Sequence, residues 1–122
     1  MKEEAVFSQM ITEKEVSAFM ELTGDDNKIH WDKSYTRQFE RPVAHGMLVA
    51  SYISKMIGTM LPGEGAVLSS ANFSWLHPVY IFDKITIKAK ITYSKDKFVE
   101  METDVYNQND ELVVTGQVWV KI

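Results

Sequence analysis

Apolar residues recur along this chain with two different periods, and the period predicts which segments are helix and which are strand. A short apolar stretch from Ala5 to Ile11 predicts an edge strand or an arm, ending at Thr12. Thr12 followed three residues later by Glu15 has the pattern of a capping box, and Val16, Phe19 and Met20 then recur at i, i+3 and i+4. Gly24 is the natural stop of that amphipathic helix, because a glycine adopts the left-handed turn that closes a helix C-terminus. Asp32 predicts one or two helical turns through Lys33 to Arg37, and Phe39 to Pro42 an irregular connection. A long, mostly apolar helix follows from Ala44 to Leu61. At roughly 100° per residue, Val49, Ala50, Ile53, Met56, Ile57 and Met60 fall on one arc, with Ser51, Lys55 and Thr59 opposite and Ser54 at the border. Such a helix has to pack deeply against a sheet. Pro62-Gly63-Glu64-Gly65 ends it with turn chemistry.

Beyond that turn the period drops to two. Ala71, Phe73 and Trp75 alternate with Asn72 and Ser74, and Ile85, Ile87, Ala89, Ile91 and Tyr93 alternate with Thr86, Lys88, Lys90 and Thr92. Val99, Met101, Thr103 and Val105 repeat the alternation, Asn107 to Asp110 supplies a turn, and Leu112 to Ile122 makes a last, valine-rich strand. The expected architecture is α+β in one domain: a curled antiparallel sheet wrapped around one long central helix, the hot-dog fold. Composition alone would allow another α+β arrangement.

Length and charge narrow the function classes. At 122 residues the chain suits a single domain that buries roughly two-thirds of its unfolded surface. With 45% apolar and 25% charged residues it is ordinary globular material, and its net charge of -4 carries no electrostatic footprint for nucleic acid. There are no cysteines, so disulfides, thiolate nucleophiles and cysteine-based zinc sites are excluded. Met1-Lys2-Glu3-Glu4 carries acids where a signal peptide needs basic then apolar residues, and no apolar run approaches the ~18 residues of a membrane span. The expectation is a soluble, cytoplasmic protein.

Chemistry concentrates in Thr23-Gly24-Asp25-Asp26-Asn27-Lys28-Ile29-His30. Asp25 and His30 are five positions apart, which a continuous helix would turn roughly 140° from each other and a straight strand would send to opposite faces. An irregular segment can bring both to one substrate atom, and Gly24, Asp26 and Asn27 are residue types that turn a backbone sharply. Taken alone, the same eight residues also describe a solvated helix end with a surface histidine nearby. The second candidate is the start of the long helix, Ala44-His45-Gly46-Met47, where free N–H groups and the positive end of the helix dipole meet a glycine that permits close approach. It could hold a developing oxyanion. An ordinary buried helix with a packing glycine has the same local sequence.

Gly24-Asp25-Asp26-Asn27-Lys28-Ile29-His30, together with Arg41-Pro42-Val43-Ala44-His45-Gly46-Met47-Leu48-Val49-Ala50-Ser51 and Ser54, resembles the MaoC-like, (R)-specific enoyl-CoA hydratases. Asn72-Phe73 to Pro78-Val79 and Gly116-Gln117-Val118 extend the likeness over nearly the whole chain. The family motif usually carries proline after the asparagine, where this chain has Lys28. The resemblance implies that Asp25 and His30 are the catalytic pair, that Gly46 offers its N–H to the thioester oxygen, and that Ser54 supports the aspartate. It also implies a substrate carried on coenzyme A or acyl-carrier protein, and a homodimer with sheets joined edge to edge. Asn27 is expected to hold the loop. His45 and His77 are expected to be structural; no two histidines have ligand spacing, so neither a metal nor another cofactor is expected.

The residue types suit the implied reaction. Adding water across an enoyl thioester needs a base for water, an acid for C2 and a donor for the enolate oxygen, and Asp25, His30 and Gly46 cover the three. Hot-dog thioesterases and the carrier-protein dehydratases resemble one another in placing a catalytic carboxylate on or beside the central helix. Between Arg41 and Gly63 this chain has neither Asp nor Glu, which argues against both. A non-catalytic acyl-thioester binding module would keep the pocket and lose the pair.

Overall fold

The computed structural model describes residues 3–122, so Met1 and Lys2 of the acidic start lie outside the described residues. In chain order the elements are β1 (Glu4–Met10), α1 (Glu13–Thr23), a 3-10 turn (Lys28–His30), α2 (Gly46–Thr59), β2 (Val67–Trp75), β3 (Lys84–Lys95), β4 (Phe98–Tyr106) and β5 (Leu112–Lys121). The strands form one antiparallel sheet in the order β1-β3-β4-β5-β2. It curls around α2 as the hot-dog architecture requires.

The alternation of period two aligns the strands. Ile87 pairs with Val105 and Val105 with Val114, while Met101 pairs with Val118 and Val99 with Val120. Directly paired residues share a face, so these side chains form rows on the concave side. All are at most 1% exposed. From α2, Val49, Ile53, Met56 and Ile57 press into those rows, and Ser51, Lys55 and Thr59 face out, as the helical period predicts. Each fully buried Ile or Met side chain contributes about 1.5–3 kcal/mol of hydrophobic stabilisation. α1 is fixed by a capping box: the Thr12 oxygen accepts from the backbone of the first turn, and the Glu15 carboxylate accepts from the Thr12 N–H over 3.1 Å.

Two segments depart from the sequence expectation. Lys33 to Arg37 makes turns rather than a helix, because the Asp32 carboxylate accepts from the Ser34 N–H at 2.9 Å and its hydroxyl at 2.6 Å, closing a local turn instead of capping a helix. So short a segment also falls below the length at which helix nucleation is repaid. β2 is exposed on both faces apart from half-buried Phe73, although its alternation suggested a half-buried strand. It is an edge strand, paired only with β5, and Val67, Leu68 and Trp75 stay open. No helix among the described residues is long and apolar enough to cross a membrane.

Candidate active site

The loop after α1 is shaped by its own side chains. Gly24 closes the helix with a φ of 80°, its N–H donating to the Met20 carbonyl over 2.8 Å. The Asp25 carboxylate accepts from the Asn27 N–H at 3.3 Å, and the Asn27 side-chain oxygen accepts from the Ile29 N–H at 3.2 Å. Asn27 thereby caps the 3-10 turn that carries His30. Lys28 occupies the first position of this turn, where a proline would also fit because no intrahelical acceptor is available to that N–H. The turn is held by its asparagine cap in either case.

His30 is only 7% exposed. Its Nδ1 lies 2.7 Å from the Val43 carbonyl, an acceptor only, so Nδ1 carries the hydrogen and Nε2 keeps a free lone pair. Burial pushes the imidazole below its ordinary pKa. The Val43 carbonyl and the Asp25 charge oppose that shift, and His45 adds to it. His30 is thus held as an uncharged base and hydrogen-bond acceptor. Its backbone is fixed as well, with His30 N–H donating to Asn27 and Val43 N–H to Ile29, both over 3.0 Å.

The second half of the site comes from the start of α2. The Ala44 N–H donates to Val79 over 2.7 Å, which anchors the chain just before the helix. α2 opens without a side-chain cap, and the first intrahelical bond runs from the Val49 N–H to the His45 carbonyl over 3.1 Å. The N–H groups of Gly46 and its successors therefore have no acceptor within the helix. The Trp75 indole donates to the Gly46 carbonyl over 2.8 Å. A cleft of about 350 Å³ runs past this end, lined by His30, Phe39, Gly46, Val49, Trp75 and Val79 among others. Its wall is largely apolar, which suits an acyl chain beside a few fixed polar groups.

The fold brings Asp25 and His30 together, with ligand-type atoms of Asp25, His30 and His45 all within 4.8 Å of one another. Asp25 is exposed and sits on the solvent side of the pair. Gly46 follows His45 directly and borders the same cleft. Ser54 is not brought to the pair. It is exposed, eight residues beyond Gly46, or about 12 Å along the helix at ~1.5 Å per residue, and the Asp25 carboxylate takes its hydrogen bond from Asn27 instead. His77, at the cleft rim, is exposed.

His45, expected from the sequence to be structural, lies against the pair. Its ring is 2% exposed and stacks on His30 with centroids 3.7 Å apart and an interplanar angle of 24°. The sequence signal for its place is that it directly precedes Gly46 at the start of α2. Although the three residues are close enough to suggest a metal, the hydrogen-bonding nitrogens on His30 and His45 are already engaged with carbonyls, and lone pairs in two nearly parallel rings do not converge on one ion.

The family described as "MaoC like domain" matches residues 1–113 of this chain. An (R)-specific enoyl-CoA hydratase of Aeromonas caviae is 36% identical, covering 98% of this chain and 92% of its own length. One from Rhodospirillum rubrum is 32% identical, covering 97% and 84%. Among solved structures, the (R)-hydratase from A. caviae involved in PHA biosynthesis superposes with a TM-score of 0.95 at 32% identity, over 100% of this chain and 97% of that one. Loop, turn and helix start thus sit in a hot-dog scaffold shared with hydratases over nearly all of this chain, and the chain belongs to the MaoC-like family.

Proposed function

We propose that this protein is an (R)-specific enoyl-CoA hydratase and 3-hydroxyacyl thioester dehydratase, adding water reversibly and with syn geometry to trans-2-enoyl thioesters. The observation that carries this is the buried His30, which lines one cleft with the uncapped start of α2 at Gly46 while Asp25 stands beside it. Asp25 and His30 form the catalytic pair. The pair removes a proton from water as the water oxygen bonds to C3, and it returns a proton to C2. It therefore ends in its starting state. Negative charge that develops on the thioester oxygen meets the Gly46 N–H, reinforced by the α2 dipole. Dehydration uses the same groups in reverse, because both directions share one transition state.

Asn27 supports the loop. The carrier is coenzyme A or acyl-carrier protein. We assign the protein to the cytoplasm and to a homodimer joined along β2, a reading supported by the open edge and exposed apolar side chains of that strand.

Adding the protein to crotonyl-CoA tests this reading. The conjugated enoyl absorbance should fall with turnover, and chiral analysis should return the (R)-3-hydroxy product. Tight binding without loss of absorbance would make the protein an acyl-thioester binding module, and an (S) product would remove the hydratase assignment.

A further inference from the structure

We infer that His45 is a positioning residue, a strut that sets the distance between the Asp25–His30 pair and the Gly46 N–H. The inference rests on the hydratase reading of the site. The His45 ring touches three separate parts of the chain. Its Nε2 lies 3.0 Å from the backbone carbonyl of Asp25, its face stacks on His30 at 3.7 Å, and Phe19 of α1 packs against it at 4.8 Å. Since a carbonyl only accepts, Nε2 carries the hydrogen and donates it. Nδ1 is then the lone-pair nitrogen, and it is buried with no hydrogen-bond partner among the described residues.

This arrangement is more specific than core filling. A buried nitrogen without a partner is a cost that an apolar residue of similar shape would avoid, so packing alone does not account for a histidine here. What histidine supplies, and phenylalanine cannot, is a donor at the far edge of the ring aimed at the Asp25 carbonyl. The other hydrogen bonds of Asp25 itself are short-range: its N–H donates to the Thr23 hydroxyl and its carboxylate accepts from the Asn27 N–H. The His45 bond spans 20 positions and fastens the Asp25 loop to the first turn of α2. Because Gly46 is the next residue, ring and oxyanion donor share one backbone. Loop, imidazole and helix start therefore move as a unit, and small displacements of a reacting group are costly in rate.

The test compares His45→Phe, His45→Gln and His45→Asn. Phenylalanine keeps the stacked shape and loses the donor. Glutamine places an amide N–H where Nε2 was, and asparagine's amide falls short at the position of Nδ1. With crotonyl-CoA, His45→Phe and His45→Asn should lower kcat at least about tenfold with KM within about twofold, and His45→Gln should recover to within about threefold of wild type. Equal losses in glutamine and asparagine, or wild-type kcat in the phenylalanine variant, would overturn the proposal. If His45→Phe does not fold, the Gln–Asn pair decides. Hydrogen exchange at the Asn27 and Ile29 amides reads the anchoring without turnover: it should quicken in the asparagine variant and not in the glutamine variant. A wild-type protein that turns over no enoyl thioester would remove the hydratase reading, while the exchange measurement would still decide whether His45 holds the loop.

Discussion

The indole of Trp75 donates to the carbonyl of Gly46 over 2.8 Å, and a Cβ added at Gly46 would lie 2.9 Å from that same indole nitrogen. Glycine is therefore required at the helix start by a side chain from β2 that covers it. Gly46→Ala should lower kcat/KM by about tenfold or more, roughly 1.4 kcal/mol, by pushing Trp75 or the helix start out of place. Stability should change little, because alanine is the better helix former by up to ~1 kcal/mol and offsets part of the crowding. Adding Trp75→Phe to Gly46→Ala should restore part of the activity by removing the clashing nitrogen. Steady-state kinetics on the single and double variants, with thermal denaturation, checks this.

Asp25→Asn and His30→Ala should each reduce kcat by at least ~10²-fold with folding intact, the usual scale for general acid–base groups. Near-wild-type turnover in either would strike that residue from the mechanism. Ser54→Ala should change kcat by less than about twofold, because the Ser54 hydroxyl is exposed and the Asp25 carboxylate takes its hydrogen bond from Asn27. A loss of about tenfold or more would bring Ser54 back into the site despite its exposed position on α2.

The depressed pKa of His30 makes a prediction about stability and pH. Unfolded, the imidazole takes up a proton as pH falls through its ordinary value of 6.5; folded, burial delays that uptake to lower pH. The unfolded state then binds more protons in the window below 6.5, so this contribution is fully present above 6.5 and is lost as pH falls toward the folded value. Thermal midpoints measured from about pH 8 to about pH 5 should fall more steeply for wild type than for His30→Gln, which has no such proton to bind. Parallel curves would mean that His30 is not held below its ordinary pKa.

Light scattering at micromolar concentration should return the mass of a dimer. A lysine in place of Val67, which is 61% exposed on β2, should shift the population toward monomer if that edge is the seam. A monomeric wild type would leave β2 as an open edge and remove the assembly proposal.

Local signals account for what was legible in the sequence. Thr12 and Glu15 cap α1 and Gly24 ends it because those preferences act within one turn of backbone. The arc Val49–Ile53–Met56–Ile57 and the alternation of Ile85, Ile87 and Ala89 identify the buried faces because helix and strand geometry convert spacing into direction. Asn27 as loop support was legible for the same reason, since its bond reaches only two residues. The tertiary structure alone decided the rest. It left β2 at an open edge and kept Ser54 away from Asp25. It also stacked His45 on His30 across 15 positions of sequence, where no periodicity reports a contact. Those outcomes depend on which distant carbonyl or ring packing brings within about 4 Å, and side-chain preferences between neighbours carry no information about that.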